Sequence, residues 1–113
     1  MKPIDKLYQA AVDKEAEKIL KLSIEDFFKV EDYGTIETSI KDEIIEIGFW
    51  HWKLNDNLHH VVFMTNRRVF LFLYSKYLSG VKLDNGVISK MTDKEVGDYD
   101  KCGRVIYTHL CGA

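Results

Sequence analysis

Apolar residues recur at spacings of three and four over the first fifth of the chain. Ile4, Leu7, Tyr8, Ala11, Val12, Ala16, Ile19 and Leu20 fall on one side of a helical wheel, with Asp5, Lys6, Asp13, Lys14, Glu17, Lys18 and Lys21 on the other. The spacing predicts an amphipathic helix over Ile4 to Leu22. Pro3 starts it at a position where a missing N–H costs nothing, and Glu17 and Lys21 add a favourable pair one turn apart. Ser23 followed by Asp26 resembles a capping box, and Gly34 resembles a helix terminator, which predicts a second helix over Ile24 to Asp32 with Ile24, Phe27 and Phe28 facing inward.

Beyond Gly34 the period shortens. β-Branched and aromatic runs broken by short polar stretches predict strands at Thr35 to Ile40, Ile44 to Leu54, Leu58 to Thr65, Arg68 to Tyr74, Val81 to Leu83, Val87 to Met91 and Arg104 to Leu110. Asn55-Asp56-Asn57, Asn66-Arg67 and Asn85-Gly86 are the predicted turns, the last carrying the strongest signal because type I′ turns need positive φ. Helices followed by strands imply an α+β domain, and the absence of a repeat, linker or low-complexity tract implies that residues 1–113 form one domain.

Those turns fix a register. A three-residue loop at 55–57 sets Trp52 against His60, Trp50 against Val62 and Phe49 against Phe63. A two-residue loop at 66–67 sets Phe63 against Phe70, Val61 against Phe72 and His60 against Leu73. Since side chains alternate along a strand, one face then carries Ile47, Phe49, Val61, Phe63, Phe70 and Phe72, and the other Trp50, Trp52, Val62, Met64, Leu71 and Leu73. Both faces are apolar and both need covering. One face is expected to line a barrel-like or half-barrel core, and the other to lie under the first helix or against a second subunit.

Charge changes the picture in one respect. Sixteen basic and eighteen acidic residues leave a net charge of −2, too little cation for a duplex nucleic-acid binder. The balance is uneven, however: residues 1–46 carry −5 and residues 47–113 carry +3. This predicts either attraction between helix and sheet or a basic patch of Lys53, Arg67, Arg68, Lys76, Lys82 and Lys90 able to meet an acidic protein, anionic lipid or single-stranded nucleic acid. The longest apolar run, Val69 to Tyr74, is far short of the ~20 residues of a membrane-spanning helix. With no signal-peptide core and only Cys102 and Cys111 for sulfur chemistry, a soluble cytoplasmic protein is expected.

Candidate chemistry is sparse. His59 and His60 are strand neighbours that project to opposite faces and cannot share an ion. His51 and His59 share a face, and would need a carboxylate from elsewhere to make a metal site. Cys102, His109 and Cys111 have soft-ligand chemistry but lack a C-x-x-C knuckle. No glycine-rich phosphate loop, H-E-x-x-H or G-x-S-x-G motif occurs. No cofactor and no metal are therefore assigned. A ligand pocket or hydrolase-like site between helix and sheet would draw on Trp50, Trp52, His60 and Glu46, the last a carboxylate on an otherwise apolar face.

The stretch Val61 to Phe72, VVFMTNRRVFLF, resembles the strand, tight turn and strand of bacterial pleckstrin-homology-like and GRAM-like modules, in which an apolar strand runs into T-[ND]-[KR]-R and a second apolar strand. The resemblance covers a dozen residues. It implies a curved, partly open antiparallel barrel that serves as a protein- or lipid-binding scaffold, and it assigns no role to an individual residue. A cone-like α+β fold has the same order of elements. The expected function is a non-enzymatic protein-interaction module, with a homodimer as one form. A ligand pocket and peripheral binding to anionic membrane or single-stranded nucleic acid are the alternatives.

Overall fold

The computed structural model describes residues 2–71 and 73–102. Helix α1 (Pro3–Leu20) and the short α2 (Ile24–Phe28) precede five strands, β1 (Tyr33–Ile40), β2 (Glu43–Asn55), β3 (Leu58–Phe70), β4 (Leu73–Asp84) and β5 (Val87–Lys90), and α3 (Asp93–Cys102) follows them. The strands form one antiparallel sheet in sequence order, curled into a half-barrel. This is the α+β class that the change of period predicts.

The concave side of the half-barrel is filled by α1. Tyr8, Val12 and Ala16 lie one helical turn apart on its buried stripe and pack with Ile47, Val61, Phe63, Tyr77, Val81 and Leu83 from β2, β3 and β4. Val12, Ile47, Val61 and Val81 have no accessible surface. The first helix thus covers the phenylalanine face, as its apolar stripe requires. Ion pairs across the same junction join α1 to the sheet, Asp5 to Arg67 at 3.0 Å and Asp13 to Lys90 at 3.9 Å. Part of the charge asymmetry between the halves is therefore spent on holding helix to sheet.

Ser23 caps α2, its Oγ accepting from the Asp26 N–H at 3.1 Å. The helix stops at Phe28, four residues before the predicted end, and its inward residue is Phe27; Ile24 and Phe28 are exposed. Phe27 is completely buried with its ring edge-on to both His51 and His59.

The β2–β3 ladder has the expected pairs, with Phe49 opposite Phe63, Trp50 opposite Val62 and Trp52 opposite His60, but the turn is Asp56-Asn57 alone: Asn55 pairs with Leu58, and an irregularity between Lys53 and Asn55 absorbs the extra residue. The β3–β4 ladder does not. Asn66 and Arg67 are not a turn: β3 runs through them to Phe70, and Phe70 pairs with Leu73. Phe63 consequently faces Ser79, Val61 faces Val81 and His60 faces Lys82. The strand expected at Arg68 to Tyr74 is the end of one hairpin arm and the start of the other, and the short strand expected at Val81 to Leu83 is the far end of the long β4. Polar Asn66 and Arg67 stay in the ladder because Arg67 finds partners there, Asp5 and the Tyr77 hydroxyl, on the concave side.

Asn85-Gly86 forms the expected turn, with φ of 49° and 81°. The β1–β2 turn is built without glycine: Lys41 and Asp42 both adopt positive φ, 49° and 68°, the type I′ geometry that favours Asn-Gly. α3 is absent from the sequence reading, although Thr92 and Glu95 carry its signal. The Glu95 N–H donates to Thr92 Oγ at 3.2 Å and the Thr92 N–H donates to Glu95 Oε1 at 2.9 Å, a complete capping box. The predicted strand Arg104 to Leu110, with His109 and Cys111, lies outside the described residues, and Cys102 ends α3.

Each side chain held at positive φ costs about 1 kcal/mol that glycine avoids. Asp42→Gly is therefore expected to stabilise the chain by about 0.5–1 kcal/mol, seen as a higher urea midpoint at unchanged m-value. A lower midpoint would show that the turn is not what limits this hairpin.

Candidate functional site

Four residues were singled out as a pocket: Trp50, Trp52, His60 and Glu46. Three of them come together on the convex face. Trp52 lies directly across the ladder from His60, and Trp50 is the next residue on the same face. The Trp50 indole folds back over Gly48, where an added Cβ would sit 3.0 Å from the ring. Glu46 is not with them. It is exposed, six residues from Trp52 along β2 and so ~20 Å away.

The convex face acquires its cover from the segment after β5. The Met91 N–H bonds to the Gly80 carbonyl at 2.9 Å, which turns the Met91 side chain onto Gly80 so closely that a Cβ there would meet its sulfur at 2.5 Å. α3 then sets Tyr99 against the sheet, stacked on Trp52 with ring centroids 6.3 Å apart and bonded through its hydroxyl to His60 Nδ1 at 2.9 Å. Lys82, across from His60, pairs with Glu95 of α3 at 3.1 Å. Burial pushes the Tyr99 phenol up to about 12, with Asp98 and Glu95 adding to the rise, so it keeps its proton. Among the described residues His60 Nε2 is buried without a partner. Burial also holds the His60 imidazole below its usual value, since a second N–H⁺ there would have no acceptor.

On the concave side His51 and His59 meet. The Val30 carbonyl can only accept, so His51 Nδ1 carries the proton and donates at 2.9 Å. His51 Nε2 is then the acceptor for His59 Nδ1–H at 2.8 Å. Burial, followed by the His51 and Lys53 charges, lowers the His59 pKa. The pair lies beneath Phe27 and Phe28. Among the described residues no group of three or more His, Cys, Asp or Glu side chains is disposed to hold a metal ion.

The six cations expected to form a patch are dispersed. Lys53, beside His59, is at the opposite end of β3 from Arg67 and pairs with Asp56. Arg67 pairs with Asp5, Lys82 with Glu95 and Lys90 with Asp13. Arg68 and Lys76 remain on the outer face of the β3–β4 hairpin, with Arg68 directly across from Tyr74. The recesses are modest. A cavity of about 110 Å³ between α1 and the sheet is walled by Ile19, Val30, Ile36, Phe49 and Phe63 with Glu15 and Lys18 at its mouth. A groove of about 400 Å³ runs along the β4 edge between α1 and α3. Neither is lined by Trp50, Trp52, His60 or Glu46.

The largest departure from a polar surface lies elsewhere, at the free end of the β3–β4 hairpin. Val69, Phe70, Leu71, Leu73 and Tyr74 are 45–64% exposed. β2 pairs with β3 only as far as Gly48 and Met64, so residues 66–76 project as a two-stranded arm. Its base is clamped by a three-way contact in which Asp5 of α1 accepts from the Tyr77 hydroxyl and from Arg67. The Tyr77 and Arg67 hydrogen bonds hold the Asp5 carboxyl below its ordinary range. Sequence reasoning placed Phe70 and Leu73 inside the sheet, because a turn was expected at the polar dipeptide. Six consecutive apolar residues spanning a hairpin reversal were the signal.

Comparison with protein-family models, with curated proteins and with solved structures returns no match to this chain. The site is therefore defined by its own geometry.

His59 and His60 are both neutral in the fold, whereas in the unfolded chain each titrates near 6.5. Below that value the unfolded state binds more protons, so their contribution is complete above about pH 6.5 and is lost as pH falls towards the depressed native values. The urea midpoint is expected to drop between about pH 7.5 and pH 5. His59→Gln/His60→Gln should flatten that drop, and an equally steep profile in the double variant would refute the assignment.

Proposed function

We propose that this protein is a non-enzymatic interaction module whose working surface is the free end of the β3–β4 hairpin. One observation carries the reading: five apolar side chains, contiguous along the hairpin, stand in water at a position where turn chemistry favours polar residues. They give nothing to the core around Val12, Val61 and Val81. Burying the exposed half of each on a partner is worth about 1 kcal/mol, a gain available only in the bound state.

The support of the arm fits this use. α1 holds its base through Asp5, Tyr77 and Arg67 and leaves the tip outside the packed region. Main-chain pairing continues from Arg68–Tyr74 to Phe70–Leu73, so the tip is presented on an ordered ladder and little ordering entropy remains to be lost on binding.

Phe70→Ser/Leu73→Ser separates folding from binding. Its thermal midpoint is expected to match that of the parent chain, since both positions are solvated. In size fractionation of cells producing the chain, the parent is expected in a large or particulate fraction and the variant at monomer mass. Elution of both at monomer mass would overturn the reading.

A further inference from the structure

Resting on that reading of the hairpin, we infer that its partner is an anionic lipid surface, into which the tip inserts to the depth of the headgroup region. The charge of the arm decides among occupants. Residues 66–76 include Arg67, Arg68 and Lys76 and no carboxylate. Arg67 is engaged by Asp5 at the base, while Arg68 and Lys76 flank the apolar tip on its outer face beside Tyr74. An apolar end bounded by cations with an aromatic hydroxyl between them matches the layering of a bilayer: acyl chains, interface, then phosphates. Asp5, engaged with Arg67, and Glu46, whose backbone carbonyl accepts from Thr65 Oγ1 at 2.8 Å, stand at the root of the arm, on the base side of Arg68.

The length agrees. Three residue steps separate Arg68 from Leu71 at the turn, ~10 Å of extended chain, against the ~5–10 Å to which interfacial elements penetrate. Deeper entry is opposed by the backbone itself. Beyond Thr65, whose Oγ1 still reaches the Glu46 carbonyl, no strand among the described residues pairs with the outer edge of β3, and unpaired N–H and C=O groups are tolerated in the hydrated interface but not among acyl chains. A second copy of the chain fits less well. A two-fold contact through this tip brings each copy's Arg68 and Lys76 near their counterparts, with no acid on the arm to separate them.

The test is sedimentation of the purified full chain with phosphatidylcholine vesicles, with and without phosphatidylserine, in low and high salt. Retention is expected on the phosphatidylserine vesicles, weakening as salt screens Arg68 and Lys76. Phe70→Ser should lower the partition coefficient about tenfold, and Arg68→Gln/Lys76→Gln also about tenfold. Val87→Ser, an equally exposed site at the far end of β4, should leave it unchanged. A Phe70→Trp variant should shift its emission to the blue on vesicle addition.

Absence of retention in low salt, or retention that Val87→Ser reduces as much as Phe70→Ser, overturns the proposal. So does sedimentation velocity showing a dimer that Phe70→Ser dissolves in the absence of lipid. If the lysate fractionation still depends on Phe70 and Leu73 in either of the no-retention or dimer cases, the hairpin remains the working surface and its partner is a protein. If the fractionation does not depend on them, the surface assignment falls as well.

Discussion

A curled sheet leaves a concave apolar face that must be filled, and here one helix fills it. Tyr8, Val12 and Ala16 of α1 are buried in one cluster with Val61, Val81 and Ile47. Everything else takes its position from that contact. α1 lies along β3 and β4, so its first turn reaches the root of the long hairpin and its middle reaches the edge of β4. The acidic side of the helix then finds Arg67 and Lys90 within range. Burial supplies the driving force, and the ion pairs, exposed to solvent to differing extents, contribute orientation more than energy.

The two faces are shielded by different means. The concave face has a long helix with a continuous stripe. The convex face is closed piecemeal by Met91 on Gly80 and by Tyr99 on Trp52 and His60. That second cover places polar groups on an apolar surface, with two consequences. The Lys82–Glu95 pair fixes α3 in register, and His60 is left with one nitrogen unpartnered among the described residues. Burial holds the His59 and His60 imidazoles below their usual values, which links the packing around them to proton activity.

Much of this was legible in the chain. α1 is announced by a clean stripe and the Ser23 cap by its spacing, and the polar stretch 55–57 locates the β2–β3 reversal, although Asn55 joins the ladder and a bulge restores the expected pairs. Asn85-Gly86 likewise behaved as its positive-φ preference demands. The β3–β4 hairpin was misread for a physical reason. Turn prediction assumes that reversals are polar, and here a polar dipeptide sits inside the ladder, satisfied by Asp5 and Tyr77, while the reversal is apolar. Local rules fail most informatively where a surface is shaped for something other than folding. The Thr92–Glu95 capping box was readable and overlooked. The separation of Glu46 from His60 is equally legible, since six residues of extended chain lie between Glu46 and Trp52, the residue opposite His60.

The Gln9 side chain donates to the Leu78 carbonyl at 2.9 Å, and two residues further along β4 the Met91 N–H takes the Gly80 carbonyl. These oxygens point away from β3, on the stretch of β4 that β5 is too short to flank. A stray extended segment from a neighbouring molecule would meet acceptors already occupied, and could not stitch itself onto the sheet there. That stretch of β4 is thus closed to the runaway edge-to-edge stacking that ends in fibrils.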